Sequence, residues 1–236
     1  MVSFMSPAAD TPDATPPSPG RRGRGRPRKT ADERDDGNRR QDLLRAAARL
    51  FRLKGFAATS TRDIAAAAGM RSGSPFYHFE NKVALLAAVM QEGMERALVR
   101  QQAAMDAASA AARAQGRTLS ARECLRVLVR NQFDLLLGPE SDFIPVMLYE
   151  WRSLSDAQRS EVTRLKDVYE LVWAPVLHAL HASGEMAGDP GVARLLLFGA
   201  LNWSAQWYDP ARVGQGGYSL DELADIALQL FLKPPS

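Results

Sequence analysis

Beyond Lys82 apolar residues recur at helical spacing to the end of the chain, and no convincing stretch alternates apolar and polar residues as a half-buried strand would. The segment from Asn81 to about Gln115 is rich in Ala, Leu, Met, Gln and Glu, which predicts one long helix interrupted in character only by Gly93. After it, Ser120 with Glu123, Ser155 with Gln158 and Ser219 with Glu222 each have the capping-box spacing, and Asp189-Pro190 pairs a cap with a first-turn proline. With breaks at Gly138-Pro139, Gly184 and Asp209-Pro210, these starts predict helices over 120–137, 142–152, 155–183, 190–208 and 219–232. The terminal one is amphipathic, with Leu220, Leu223, Ile226, Ala227, Leu230 and Phe231 at helical intervals.

A different pattern occupies 60–82, STRDIAAAAGMRSGSPFYHFENK. Ser60 and Asp63 cap a short helix whose Ile64 and Ala68 share one face, and Gly69 stands where the chain must turn through positive φ. A second short helix begins near Ser72, with Gly73, Ser74 and Pro75 in its first turn and Phe76 and Phe79 three apart to hold it against its neighbours. Two helices joined by a glycine turn suit a helix-turn-helix that enters the major groove, although the spacing alone fits an ordinary helical hairpin equally well. The polar residues fit the DNA reading. Ser60, Thr61 and Arg62 gather at one helix start and Ser72, Gly73 and Ser74 at the next, where exposed amides attract phosphate, and Tyr77, His78 and Lys82 follow.

The run from Arg39 to Leu86 makes the reading specific. RRQDLLRAAARLFRLKGFAATSTRDIAAAAG, then SGSPFYHFENKVALL, closely resembles the DNA-binding domain of the TetR family of bacterial transcriptional regulators. By that resemblance Arg62, Ser72, Gly73, Ser74, Tyr77 and His78 lie on the major groove or its rim, and Ser60, Thr61 and Lys82 at phosphate contacts. Three positions depart from the family pattern: Arg71 replaces a capping Ser or Thr, Phe76 a common Tyr, and Pro75 an apolar helix former. The segment LFGALNWSAQWYDP with SLDELADIALQLFL more weakly resembles the acyl-CoA-responsive branch of the family, chiefly through Asn202-Trp203 and Trp207-Tyr208. The fold expected is all-α, with a helix-turn-helix domain over 38–84 and a ligand-binding and dimerisation domain over 85–233.

Charge and composition refine this picture. The net charge is only +3, yet six of the 30 basic residues lie between Arg21 and Lys29, so the basicity is local and points to a nucleic-acid contact at one end of the chain. Residues 1–37 are proline-rich and poor in bulky apolar residues, which predicts a disordered arm. Within it Arg24-Gly25-Arg26-Pro27 resembles an AT-hook core, whose Arg24 and Arg26 would enter a narrow minor groove. A basic tail that attracts phosphate without preference is the alternative. Cys124, the single cysteine, excludes an internal disulfide and reads as a small core residue. The absence of a signal-type start or an 18-residue apolar run leads to the expectation of a cytoplasmic protein with no membrane partner.

In the C-terminal half, Leu196, Gly199, Trp203 and Trp207 fall along one face, and with Leu223, Ile226 and Leu230 of the last helix they suit half of an intersubunit four-helix bundle. That is how chains of the resembled family form homodimers. Phe133, Phe143, Met147, Tyr149, Tyr169, Trp173 and Trp203 are the candidate lining of an effector cavity, with Pro145 and Pro175 able to kink helices beside it. Aromatic residues at this spacing equally form a plain core. His178 and His181 lack an identifiable third ligand, so neither a metal nor another cofactor is expected, and no nucleophile-base set or phosphate-binding glycine loop marks an enzyme. The sequence reading is thus a dimeric repressor of a pseudo-palindromic DNA operator, released by a small hydrophobic effector such as an acyl-CoA. An activator, a corepressor-dependent regulator and a nucleoid-type architectural protein are the alternatives.

Overall fold

The computed structural model describes residues 31–70, 75–139 and 141–234, which form ten α-helices and three single 3-10 turns. Helix α1 (Ala31–Ala58) is interrupted at Gly55, whose φ of 79° lets the chain turn toward α2 (Thr61–Ala67). Its first turn starts at Ala31, within the stretch expected to be disordered. Helix α3 (Pro75–His78) completes the N-terminal unit, and α4 (Lys82–Ala114) runs from it through the rest of the molecule. The remaining helices are α5 (Ala121–Leu137), α6 (Phe143–Glu150), α7 (Asp156–Glu170), α8 (Trp173–Ala182), α9 (Pro190–Trp203) and α10 (Leu220–Phe231).

The serine-led capping boxes at Ser60, Ser120, Ser155 and Ser219 all form, and Asp189 accepts the amide of Val192 behind Pro190. One expected helix is divided. The stretch 155–183 breaks at Leu171 and Val172, because Pro175 has no N–H for the carbonyl of Leu171 and its ring crowds that carbonyl. Pro145, by contrast, lies in the first turn of α6, where its missing amide costs nothing, and α6 stays intact.

Two apolar clusters hold the fold. The first joins Leu43, Phe51, Ile64 and Phe79 to Leu85, Leu86 and Met90 of α4 and to Phe143 and Ile144 of α6, so the first turns of α4 serve both halves of the molecule. The second gathers Leu125, Leu128, Phe133, Trp173, Leu177, Leu201, Leu223 and Leu228 from α5, α8, α9 and α10. Gly93 permits the close crossing of α4 and α6: a Cβ there would stand 2.9 Å from the Cβ of Phe143. No helix among the described residues is long and apolar enough to cross a membrane.

Candidate nucleic-acid interface and effector clefts

At the start of α2, Ser60 accepts the amide of Asp63 at 3.1 Å while the Asp63 carboxylate accepts the amide and hydroxyl of Ser60 at 3.1 and 2.8 Å. Those bonds to the charged form hold the Asp63 carboxyl below its ordinary value, with the Ser60 hydroxyl the largest cause. The turn that follows has the expected glycine: Gly69 adopts a φ of 68°, and the amides of Gly69 and Met70 return to the carbonyls of Ala66 and Ala65. Phe79 is buried under Arg40, whose guanidinium lies 5.3 Å from its ring centre, and it fixes the end of α3 to α1.

On the outer side of this unit, Tyr77 is 78% exposed and meets the adjacent His78 ring edge-on at 5.1 Å. A tyrosine so presented from a short helix is available to a partner surface. On α2, Arg62 is exposed and Thr61 is half-buried. Ser72, Gly73 and Ser74 lie outside the described residues, as do Arg24 and Arg26 of the arm.

Lys82 is placed differently from the expectation of an outward phosphate contact. Its ammonium donates to the carbonyls of Phe56 and Thr59 at 2.8 and 2.9 Å and stands 4.3 Å from the centre of the Phe56 ring. Two of its three N–H groups are therefore spent on the α1–α2 turn. Both carbonyls lie at the end of α1, where the helical ladder stops, and the first residue of α4 supplies a donor to each. The sequence reading missed a second link to the same turn: Glu150, at the end of α6, accepts the amide of Phe56 at 2.8 Å. Arg52 also donates to Asp142 and Ser141 at 2.9 and 3.3 Å, so α6 holds the DNA-binding unit at two points.

The seven candidate lining residues do not converge on one cavity. Tyr169 and Trp173 are packed core residues joined by a buried polar network: the Trp173 indole donates to Gln101 at 2.9 Å, the Gln101 amide donates to the Tyr169 carbonyl at 3.0 Å, and the Tyr169 hydroxyl donates to Gln132 at 2.7 Å. Gln132 in turn donates to Asn202 at 3.0 Å. The bond from Gln101 satisfies a carbonyl at the α7–α8 break, and burial pushes the Tyr169 phenol well above its ordinary range. Phe133 is buried in the second cluster. Phe143 instead forms a wall shared by two clefts, one of about 360 Å³ with Gly93, Val99 and Leu135, and one of about 750 Å³ with Arg45, Arg49 and Asp142. Met147 and Tyr149 line a third, of about 700 Å³, with Leu148, Trp151, Arg152 and Lys166. Trp203 is 66% exposed on the outer side of α9, pointing away from the helical interior rather than lining it.

The expected dimer face is also divided. Leu196, Gly199, Trp207 and Leu230 are exposed, and Val192, Leu195, Leu196, Gly199 and Trp203 leave an apolar strip along α9 that no described residue covers. Ile226 is half-buried. Leu223 is 6% exposed and belongs to the intrachain core, because Arg126 pairs with Asp225 and Arg130 with Asp221, turning the Leu223 side of α10 onto α5. Cys124 is half-buried, and burial raises its thiol above the ordinary value, which favours the protonated, inert form. His178 and His181 are exposed, and the described residues contain no cluster able to hold a metal.

Comparison with known proteins agrees with this geometry. Residues 43–89 match the family described as bacterial regulatory proteins, tetR family, and residues 118–234 match the tetracyclin repressor-like C-terminal domain. The HTH-type transcriptional repressor KstR2 of Mycolicibacterium smegmatis is 30% identical over 179 residues, covering 73% of this chain and 80% of that one. Among solved structures, the superantigen PfiT is 38% identical with a TM-score of 0.67, covering 84% of this chain and 97% of the other. AibR in complex with isovaleryl coenzyme A and operator DNA is similar in fold, with a TM-score of 0.71 at 24% identity, covering 84% of this chain and all of the other.

Proposed function

The chain belongs to the tetR family of bacterial regulatory proteins, and from that premise we propose that it is a homodimeric repressor of a pseudo-palindromic operator, released when an acyl-CoA-like effector binds its C-terminal half. As a member of that family it is a helix-turn-helix transcriptional regulator. The observation that carries the rest is the pair of links from α6 to the DNA-binding unit, Arg52 to Asp142 and Phe56 to Glu150. A ligand that prefers a shifted α6 must shift the reading head with it, and its differential affinity for the two positions then lowers DNA affinity. Dimerisation is supported by the unpartnered strip on α9, and contact with DNA by Arg62 and Tyr77, both of which face solvent. The effector class is supported by the isovaleryl coenzyme A bound to AibR and the stearoyl-CoA bound to FadR of Bacillus subtilis, a fold neighbour with a TM-score of 0.61.

The test is binding of the purified full chain to the DNA upstream of its own gene, followed by fluorescence anisotropy, with and without isovaleryl-CoA or stearoyl-CoA. The expected result is one dimer per site, loss of binding in Tyr77→Ala, and release by at least one thioester. Binding that survives Tyr77→Ala unchanged, or that neither thioester weakens, overturns the corresponding part of the proposal.

A further inference from the structure

The sequence offers no basic cluster for an anionic ligand in the C-terminal half, because nearly every cation there has a carboxylate at the right spacing. The structure sorts them. Arg159, Arg164 and Arg194 are each paired with a carboxylate, as are Arg122, Arg126 and Arg130. Arg152 has no ion pair among the described residues. It stands on the 3-10 turn Trp151–Ser153 that follows α6, at the cleft of about 700 Å³ lined by Met147, Leu148, Tyr149, Trp151, Arg152 and Lys166. That volume falls within the range of small-molecule sites.

Two cations and no carboxylate line this cleft. Lys166 pairs with Glu170 at 2.8 Å and with Asp167 at 3.7 Å, and Glu170 also faces Arg194, so Arg152 is the cation of this cleft without an ion pair among the described residues. The larger cleft beneath α1 is different, since Asp42 and Asp142 line it and neutralise Arg45 and Arg52. The rings of Tyr149 and Trp151 and the apolar side chains of Met147 and Leu148 line the same cleft as the two cations. A cleft that combines cations with aromatic rings matches a phosphorylated nucleotide, whose base stacks while its phosphates accept charge-assisted hydrogen bonds.

We propose that this cleft between α6 and α7 is the head-group site for a nucleotide-linked acyl thioester, with Arg152 and Lys166 holding the phosphates and Trp151 or Tyr149 stacking the base. The proposal rests on the effector class argued above and assigns it a place. It also gives the ligand a direct route to DNA affinity. Arg152 is two residues from Glu150, whose carboxylate accepts the Phe56 amide and also the Ser153 hydroxyl at 3.4 Å. Drawing the Trp151–Ser153 turn toward a phosphate moves the residue that fixes the α1–α2 turn.

The test is isothermal titration of the full chain with isovaleryl-CoA, free coenzyme A and isovalerate, comparing wild type with Arg152→Gln and Arg152→Lys. The side chain is exposed and has no ion pair, so neither variant disturbs the fold, which circular dichroism checks. Wild type is expected to bind the thioester and free coenzyme A but not isovalerate. Arg152→Gln should bind both nucleotides about tenfold more weakly, the effect of one charge-assisted contact, and Arg152→Lys should recover most of the loss. Equal affinity of wild type and Arg152→Gln for coenzyme A overturns the site while leaving the effector class standing. Binding of isovalerate without coenzyme A overturns head-group recognition, and binding of none of the three overturns the effector class and the site together.

Discussion

Replacing Lys82 by Met separates a lysine that positions the reading head from one that touches DNA. In the structure its ammonium holds two carbonyls of the α1–α2 turn and lies over the Phe56 ring. Each charge-assisted bond contributes on the order of 1 kcal/mol at this half-buried site, and the ring contact adds about 0.5–1 kcal/mol. Methionine keeps the apolar stem but removes both bonds and the ring contact, leaving the Phe56 carbonyl only the Thr59 amide at 3.3 Å, so a loss of about 3 kcal/mol is expected, which in a domain of this size lowers Tm by roughly 6–12 °C. Operator affinity should fall with it, because the turn between α1 and α2 is no longer fixed. The slope of log affinity against log salt should stay unchanged, whereas losing one phosphate contact would reduce it by about 0.9. Differential scanning fluorimetry and anisotropy over a salt series measure both quantities. A variant with wild-type Tm and a shallower salt slope would refute this reasoning and return Lys82 to the DNA backbone.

Three further outcomes follow from the same contacts. Gln101→Leu should destabilise the chain by about 2–4 kcal/mol in urea titrations, because the Trp173 indole N–H and the Tyr169 carbonyl are each left buried without a partner. Leu196→Arg, on the exposed strip of α9, should convert the proposed dimer to a folded monomer in sedimentation experiments, with unchanged helical circular dichroism; a dimer that persists removes α9 from the interface. The capping carboxyls should make stability depend on acid. Glu123 and Glu222 are held below the ordinary glutamate value of 4.5 chiefly by the backbone amides of Ser120 and Ser219, and Asp63 below 3.8 chiefly by the Ser60 hydroxyl. Below those ordinary values the unfolded chain binds more protons than the folded one, so this stabilisation is complete near neutral pH and drains as pH falls through the depressed values. Thermal melts should show Tm declining with acid, and Glu123→Gln with Glu222→Gln should flatten the decline.

Local chemistry made much of the architecture legible in advance. A capping box needs only Ser and an acceptor three residues on, and the turn at Gly69 needs only a residue without Cβ, so these features are complete within a few positions of the chain. Pro175 carried its message too, and its effect was to divide one expected helix into α7 and α8.

Partnership across the fold was not legible. Leu223 and Leu230 share the terminal helix and the same apolar pattern, yet one is buried on α5 and the other faces solvent, because the pairing of Arg126 and Arg130 with Asp225 and Asp221 sets the rotation of α10. Tyr169 and Trp173 read as pocket or core with equal ease until Gln101 and Gln132, far away in sequence, satisfied their polar atoms and made them core. Lys82 and Arg152 exchanged expectations in the same way: the lysine of a recognised motif turned inward to carbonyls at the end of α1, and Arg152, lining a cleft, has no ion pair among the described residues. The sequence by itself determined an all-helical chain with a helix-turn-helix at its head, since short-range spacing encodes caps, turns and amphipathic faces. Which faces meet, which cations remain unpaired and where the head is tied to α6 were decided only by the tertiary structure, since those depend on residues brought together from about 50 to 100 positions apart.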